Sequence, residues 1–126
     1  MVEQTSTILL WKDIHEIADK VCKHYGLSYG KIVPELHPRA RRYGETQVCT
    51  ECKSNLNVDP ADCFEKELSI RIHQLNNPRK PLTKKSILST LAHELAHLRE
   101  WDHGKSHRAF EKEIIQFIRE LGYEGL

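Results

Sequence analysis

Apolar residues recur at Leu10, Ile14, Ile17, Val21 and Tyr25. That spacing of three and four predicts an amphipathic helix with one buried face. Thr5, Ser6 and Thr7 offer caps for its start, and Gly26 is placed to end it with a left-handed residue. Cys22 borders the stripe as a small core residue, while His15 and His24 lie off it and are read as surface residues. The pattern then changes. Ile32, Val33 and Leu36 predict a short strand, which Pro34 confines to a sheet edge. A second strand is expected from Arg41 to Val48, bulged near Gly44. From Glu67 to Leu75 apolar and polar residues alternate, with Leu68, Ile70 and Ile72 on one face and Ser69, Arg71 and His73 on the other, as in a half-buried strand.

The last third of the chain is helical by the same criterion. Thr83 is a good N-cap, and Leu82 and Ile87 suit a hydrophobic staple. Ile87, Leu88, Leu91, Ala92, Leu95, Ala96 and Leu98 cover most of the helix circumference, so a wide face should be buried. Asp102, His103 and Gly104 break this helix. Ser106 can cap a final one, whose stripe is Phe110, Ile114, Phe117, Ile118 and Leu121, with Gly122 at its end. The expected fold class is α+β: an N-terminal helix, a short and mostly antiparallel sheet, then two helices, in one domain spanning residues 1–126.

Composition narrows this picture little. The chain has 126 residues, 39% hydrophobic and 29% charged, enough for a real core and unlike a disordered segment. A formal net charge of +1 gives no strong field, so bulk charge does not argue for nucleic acid as a partner. Local clusters at Arg39, Arg41, Arg42 and at Arg79, Lys80, Lys84, Lys85 read as solvated loops and a helix start. No apolar run is long enough to span a membrane, and the N-terminus has no secretory pattern. A cytoplasmic monomer with reduced cysteines is the expectation.

Chemistry enters with His93-Glu94-Leu95-Ala96-His97. Two histidines four apart stand on one helical face and can share a tetrahedral metal ion, and Glu94 can reach a water on that ion as general base. Two histidines do not complete a catalytic zinc site, which takes three protein ligands and a water. His103, six residues after His97, is the preferred third ligand, because the turn at Gly104 lets it point back. His107 is the rival, followed by Glu111 or Glu113 on the last helix. The metzincin pattern has the same offset to its third histidine. Here, however, Glu100 stands where that pattern has glycine, and Met1 is the sole methionine, so membership is not expected.

Cys49-x-x-Cys52 also has ligand spacing, and Cys63 could supply a third thiolate with Cys22 as a distant fourth. No second C-x-x-C accompanies it. Reduced cysteines beside a loop are the preferred reading over a structural zinc, and Asn55, Asn57, Asp59 and Pro60 support a loop.

The segment Leu91 to Leu98, followed by Asp102-His103-Gly104-Lys105 and a helix, resembles the SprT-like and YgjP-like metallopeptidases. Tyr43-Gly44 and the strand Leu68 to Ile72 resemble upstream elements of that family. The resemblance implies a small zincin-like domain holding one catalytic Zn2+ on His93, His97 and His103, with Glu94 as base. It implies hydrolysis of peptide bonds in protein substrates, with the strand from Leu68 to Leu75 as the cleft edge on which an extended substrate pairs. Tyr43, Arg71 or His73 would then assist the oxyanion. His107 departs from the family, which often has an aromatic residue there. Spartan-like members act on DNA-bound proteins, a reading kept as an alternative, and a non-catalytic zinc-stabilised binding module is another.

Overall fold

The computed structural model describes residues 11–35, 43–54, 63–73 and 82–123. Outside these lie the proposed caps Thr5, Ser6 and Thr7, the strand residue Leu36, and the turn residues Asn55, Asn57, Asp59 and Pro60. Most of the two basic clusters also lies outside them. The first helix, α1, runs Trp11–Tyr25 and buries Ile14, Ile17, Ala18, Val21 and Cys22. Gly26 follows with φ +69°, and the Leu27 N–H returns to the Cys22 carbonyl at 2.8 Å, a left-handed helix stop. His24 is exposed and its ring stacks on Phe117 at 4.3 Å.

Among the described residues three short strands follow: β1 (Lys31–Pro34), β2 (Gly44–Gln47) and β3 (Glu67–Ile70). They form one sheet in the order β1-β3-β2. β3 pairs with β1 in parallel, Ile32 opposite Leu68, and with β2 antiparallel, Thr46 opposite Leu68. The sheet is therefore mixed rather than mostly antiparallel, and β3 is central rather than at the cleft edge. The alternation of β3 is real, since Leu68 and Ile70 are fully buried. Alternation reports which face is buried, however, and says nothing about which edge is paired. Pro34 sits on the edge strand β1, where a missing N–H costs no ladder bond.

Gly44 marks no bulge; β2 pairs in register through it. A β-carbon there would lie 2.6 Å from Thr90 Cγ2 and 2.9 Å from the Ser69 carbonyl oxygen, so glycine is what lets β2 approach the helix behind it. After β2 comes a short helix, α2 (Thr50–Ser54), where a loop was expected.

The helix α3 runs Lys84–Ala96. Thr83 caps it as expected, accepting the Ser86 N–H at 3.2 Å. The helix stops at His97 rather than at Asp102: the His97 and Leu98 N–H groups bond back only three residues, to Glu94 and Leu95. The last helix, α4, runs Lys105–Glu120 with Gly104 at its cap position and no side-chain capping bond, so Ser106 lies inside the helix and does not cap it. Leu88, Leu91 and Leu95 of α3 pack with Phe110, Ile114 and Ile118 of α4 and with the stripe of α1 to make the core. Among the described residues, no helix is long and apolar enough to cross a membrane.

Candidate metal centre

His93 lies in the last turn of α3, and His97 is the residue that terminates it. The tightened turn 97–99 and the segment to Gly104 carry His103 back over this helix end. Its Nε2 lies 3.1 Å from His93 Nε2 and 3.1 Å from His97 Nε2. Three imidazoles on one tetrahedral ion, at ordinary zinc–nitrogen lengths, would hold their nitrogens about 3.3 Å apart.

The tautomers follow from the other ring nitrogens. His97 Nδ1 faces the Glu100 carbonyl at 3.1 Å, and a carbonyl only accepts, so Nδ1 carries the proton. His93 Nδ1 faces Glu111 Oε1 at 2.7 Å, where a carboxylate likewise accepts. Both Nε2 atoms therefore present lone pairs to the same point. His103 can offer one proton between them. A cation at that point satisfies all three rings, and the donor set is one that suits zinc and its neighbours.

His107 is 1% exposed and lies beneath the triad. Its ring stacks on His97 at 4.1 Å, and its Nε2 donates to the His93 carbonyl at 3.1 Å. A His107 ring nitrogen also falls within 4.8 Å of ligand atoms of His93 and His97, so His93, His97 and His107 are geometrically able to share an ion. His103 Nε2 lies 3.1 Å from Nε2 of both His93 and His97, while His107, with its Nε2–H given to the His93 carbonyl, keeps Nδ1 as a ligand nitrogen. Glu111, a rival for third ligand, sits instead behind His93, where it fixes that ring's tautomer and orientation.

Glu94 is 5% exposed. Thr46 Oγ1 of β2 lies 2.7 Å from Glu94 Oε1 and 3.1 Å from its carbonyl oxygen. Burial raises the Glu94 pKa; the Thr46 hydrogen bond and His93 pull it the other way. Burial, reinforced by the neighbouring His107, pushes His97 down to about 4, which keeps its ring neutral and able to ligate. His107 is lowered by the same burial.

These groups open on a cleft of about 320 Å³ lined by Gly44, Glu45, Thr46, His93, Glu94, His97, Trp101 and His103. An adjoining hollow takes in Tyr43, Ser89, Thr90 and Glu111. Of the residues named for the oxyanion, Tyr43 borders this hollow, Arg71 is buried, and His73 is exposed. Thr46, Glu45 and Trp101 were not singled out from sequence, and neither was the role of Glu111 behind His93. The one available signal was that Glu111 stands a helical turn after His107.

Cys49, Cys52 and Cys63 also come together, with one sulfur from each within 4.8 Å of the others. Cys22 stays in the core on α1 and takes no part. The cysteines are free, as expected from the sequence, and the fold adds that the three stand together as a group that could hold an ion. Compared with known protein families, with curated proteins and with solved structures, the chain gives no match.

Proposed function

We propose that this chain is a zinc-dependent metallopeptidase that hydrolyses peptide bonds in protein substrates, with His93, His97 and His103 as metal ligands and Glu94 as general base. The observation that carries the reading is the convergence of three Nε2 atoms beside a buried carboxylate in one open cleft. A purely structural site has no use for Glu94 at that place. When bound, the ion supplies a Lewis acid that lowers the pKa of water towards ~7 and polarises a carbonyl oxygen.

The remaining work belongs to the chain. Glu94, its pKa raised by burial, takes a proton from the attacking water and hands it to the leaving amine. Thr46 holds Oε1 of that carboxylate in place. Because β3 is flanked on both sides, the strand that can align an extended peptide is β2, at the sheet edge beside the cleft. Of Tyr43, Arg71 and His73, Tyr43 alone lines a hollow shared with His93 and Glu94, which supports it as the group that assists the oxyanion.

Glu94→Gln tests the proposal. It should keep one metal ion at the histidines and lose about 10²–10⁴-fold in cleavage of an unfolded protein substrate followed by mass spectrometry. Full activity in this variant would sink the mechanism. The proximity of His107 favours a second reading, a binding module whose ion is closed by four protein ligands. Absorption spectroscopy of the metal on the wild type and on His107→Ala separates the two: a coordination sphere unchanged by His107→Ala supports the open, catalytic site.

A further inference from the structure

The three cysteines lie apart from the histidine cleft, and nothing in the proposed peptidase chemistry uses them. Cys49 stands immediately before α2, and the Lys53 N–H bonds to its carbonyl at 2.9 Å, closing a helical turn. That turn sets Cys49 and Cys52 three residues apart at the helix start. Cys63 arrives from the far end of the connection to β3 and is 2% exposed. Its Sγ lies 3.5 Å from Cys49 Sγ and accepts the Cys49 backbone N–H at 3.4 Å. All four cysteines are free thiols.

We propose that Cys49, Cys52 and Cys63 bind a second, thiophilic metal ion of the zinc class, which ties the end of β2 to the start of β3. Three thiolates on a tetrahedral zinc stand about 3.8 Å apart, close to the Cys49–Cys63 separation here. A backbone N–H aimed at a sulfur stabilises the thiolate form that metals bind. Charge agrees as well. Three thiolates outweigh a divalent ion by one negative charge, and the 2% exposed Lys66 ammonium bonds to the Cys63 carbonyl at 2.7 Å, next to the cluster. Three protein ligands leave a fourth position for water or an added ligand.

The consequence reaches the cleft. Gln47 of β2 pairs with Glu67 of β3, two residues from Cys49 on one side and four from Cys63 on the other. Closing the connection there holds β2, and with it Thr46, against α3. Lys66 Nζ also lies 5.8 Å from the ring centre of Trp101, which lines the cleft. The ion is therefore structural, and it stands whether or not the histidine site is catalytic.

The test is a Co2+ titration of the full chain, stripped with chelator and kept reduced. The expected result is a near-ultraviolet thiolate-to-metal charge-transfer band, saturating at one equivalent once the histidine site is removed. It should persist in the His93→Ala/His97→Ala variant and be lost in Cys52→Ser and in Cys63→Ser. Absence of the band in reduced wild-type protein overturns the proposal without needing any variant to fold. So does a band that survives Cys63→Ser, or a Cys49–Cys63 disulfide forming in air in a protein that takes up no metal when reduced.

Discussion

Glu111 on α4 holds His93 on α3, its Oε1 2.7 Å from the His93 Nδ1. The carboxylate fixes the ring so that Nε2 points at His97 and His103. Glu111→Ala should lower metal affinity about 10–100-fold with little change in fold, as loss of an orienting partner does elsewhere. Glu111→Gln keeps an acceptor oxygen and should fall between the two. Competition with a chromophoric chelator measures both, and equal affinity in all three proteins would show that Glu111 does not orient the ligand.

Thr46→Val removes a hydroxyl and keeps the shape. The Thr46 hydrogen bond lowers the Glu94 pKa against the raising effect of burial, so its loss should move that pKa further up. Glu94 acts as a base only when ionised. The acidic limb of the pH profile of kcat/KM should therefore shift to higher pH, while the plateau at high pH changes less. An unshifted limb would remove Thr46 from the site's electrostatics.

At Gly44 the expected effect is steric. A β-carbon meets Thr90 Cγ2 at 2.6 Å and the Ser69 carbonyl oxygen at 2.9 Å, and the second of these is backbone that yields little. Gly44→Ala should cost about 1–3 kcal/mol, the usual range for overpacking, and should depress activity by displacing Thr46 from Glu94. Urea denaturation alongside a turnover assay would show whether both change together.

The metal-free protein should lose stability as acid is added. Burial lowers His97 to about 4 in the folded chain, against about 6.5 unfolded. Between those values the unfolded state binds the extra proton. The contribution of His97 is thus complete above about pH 6.5 and falls as pH drops towards 4. His107, also lowered, acts in the same direction. Glu94, whose pKa is raised, acts in the opposite one, so Glu94→Gln is the background to use. In that variant without metal, the urea midpoint at pH 5 should lie below that at pH 7; a midpoint that held steady or rose would contradict the assignment of a buried neutral His97.

Three of the four described helices, and one limit of each, were legible in the chain; the end of α3, the start of α4 and the short α2 were not. Stripes at three-and-four spacing located α1, α3 and α4, Gly26 and Gly122 end two of them with φ of +69° and +97°, and Thr83 caps the third. These are local effects, decided by residues within a turn or two of one another. The pairing of His93 with His97 belongs with them, since four residues along a helix fix the geometry whatever surrounds it.

The tertiary structure decided everything that joins distant segments. It placed β3 in the middle of a mixed sheet, because alternation marks a buried face and leaves strand order open. It brought both His103 and His107 to the His93–His97 pair, His103 through the early end of α3 at His97 and His107 from the buried first turn of α4. It brought Thr46 to Glu94 across 48 positions of sequence and Cys63 to Cys49 across 14, contacts for which no local pattern exists. Local spacing sets which side chains share a face; only packing, through a glycine at 44 thin enough to let a strand lie against a helix, sets what that face meets.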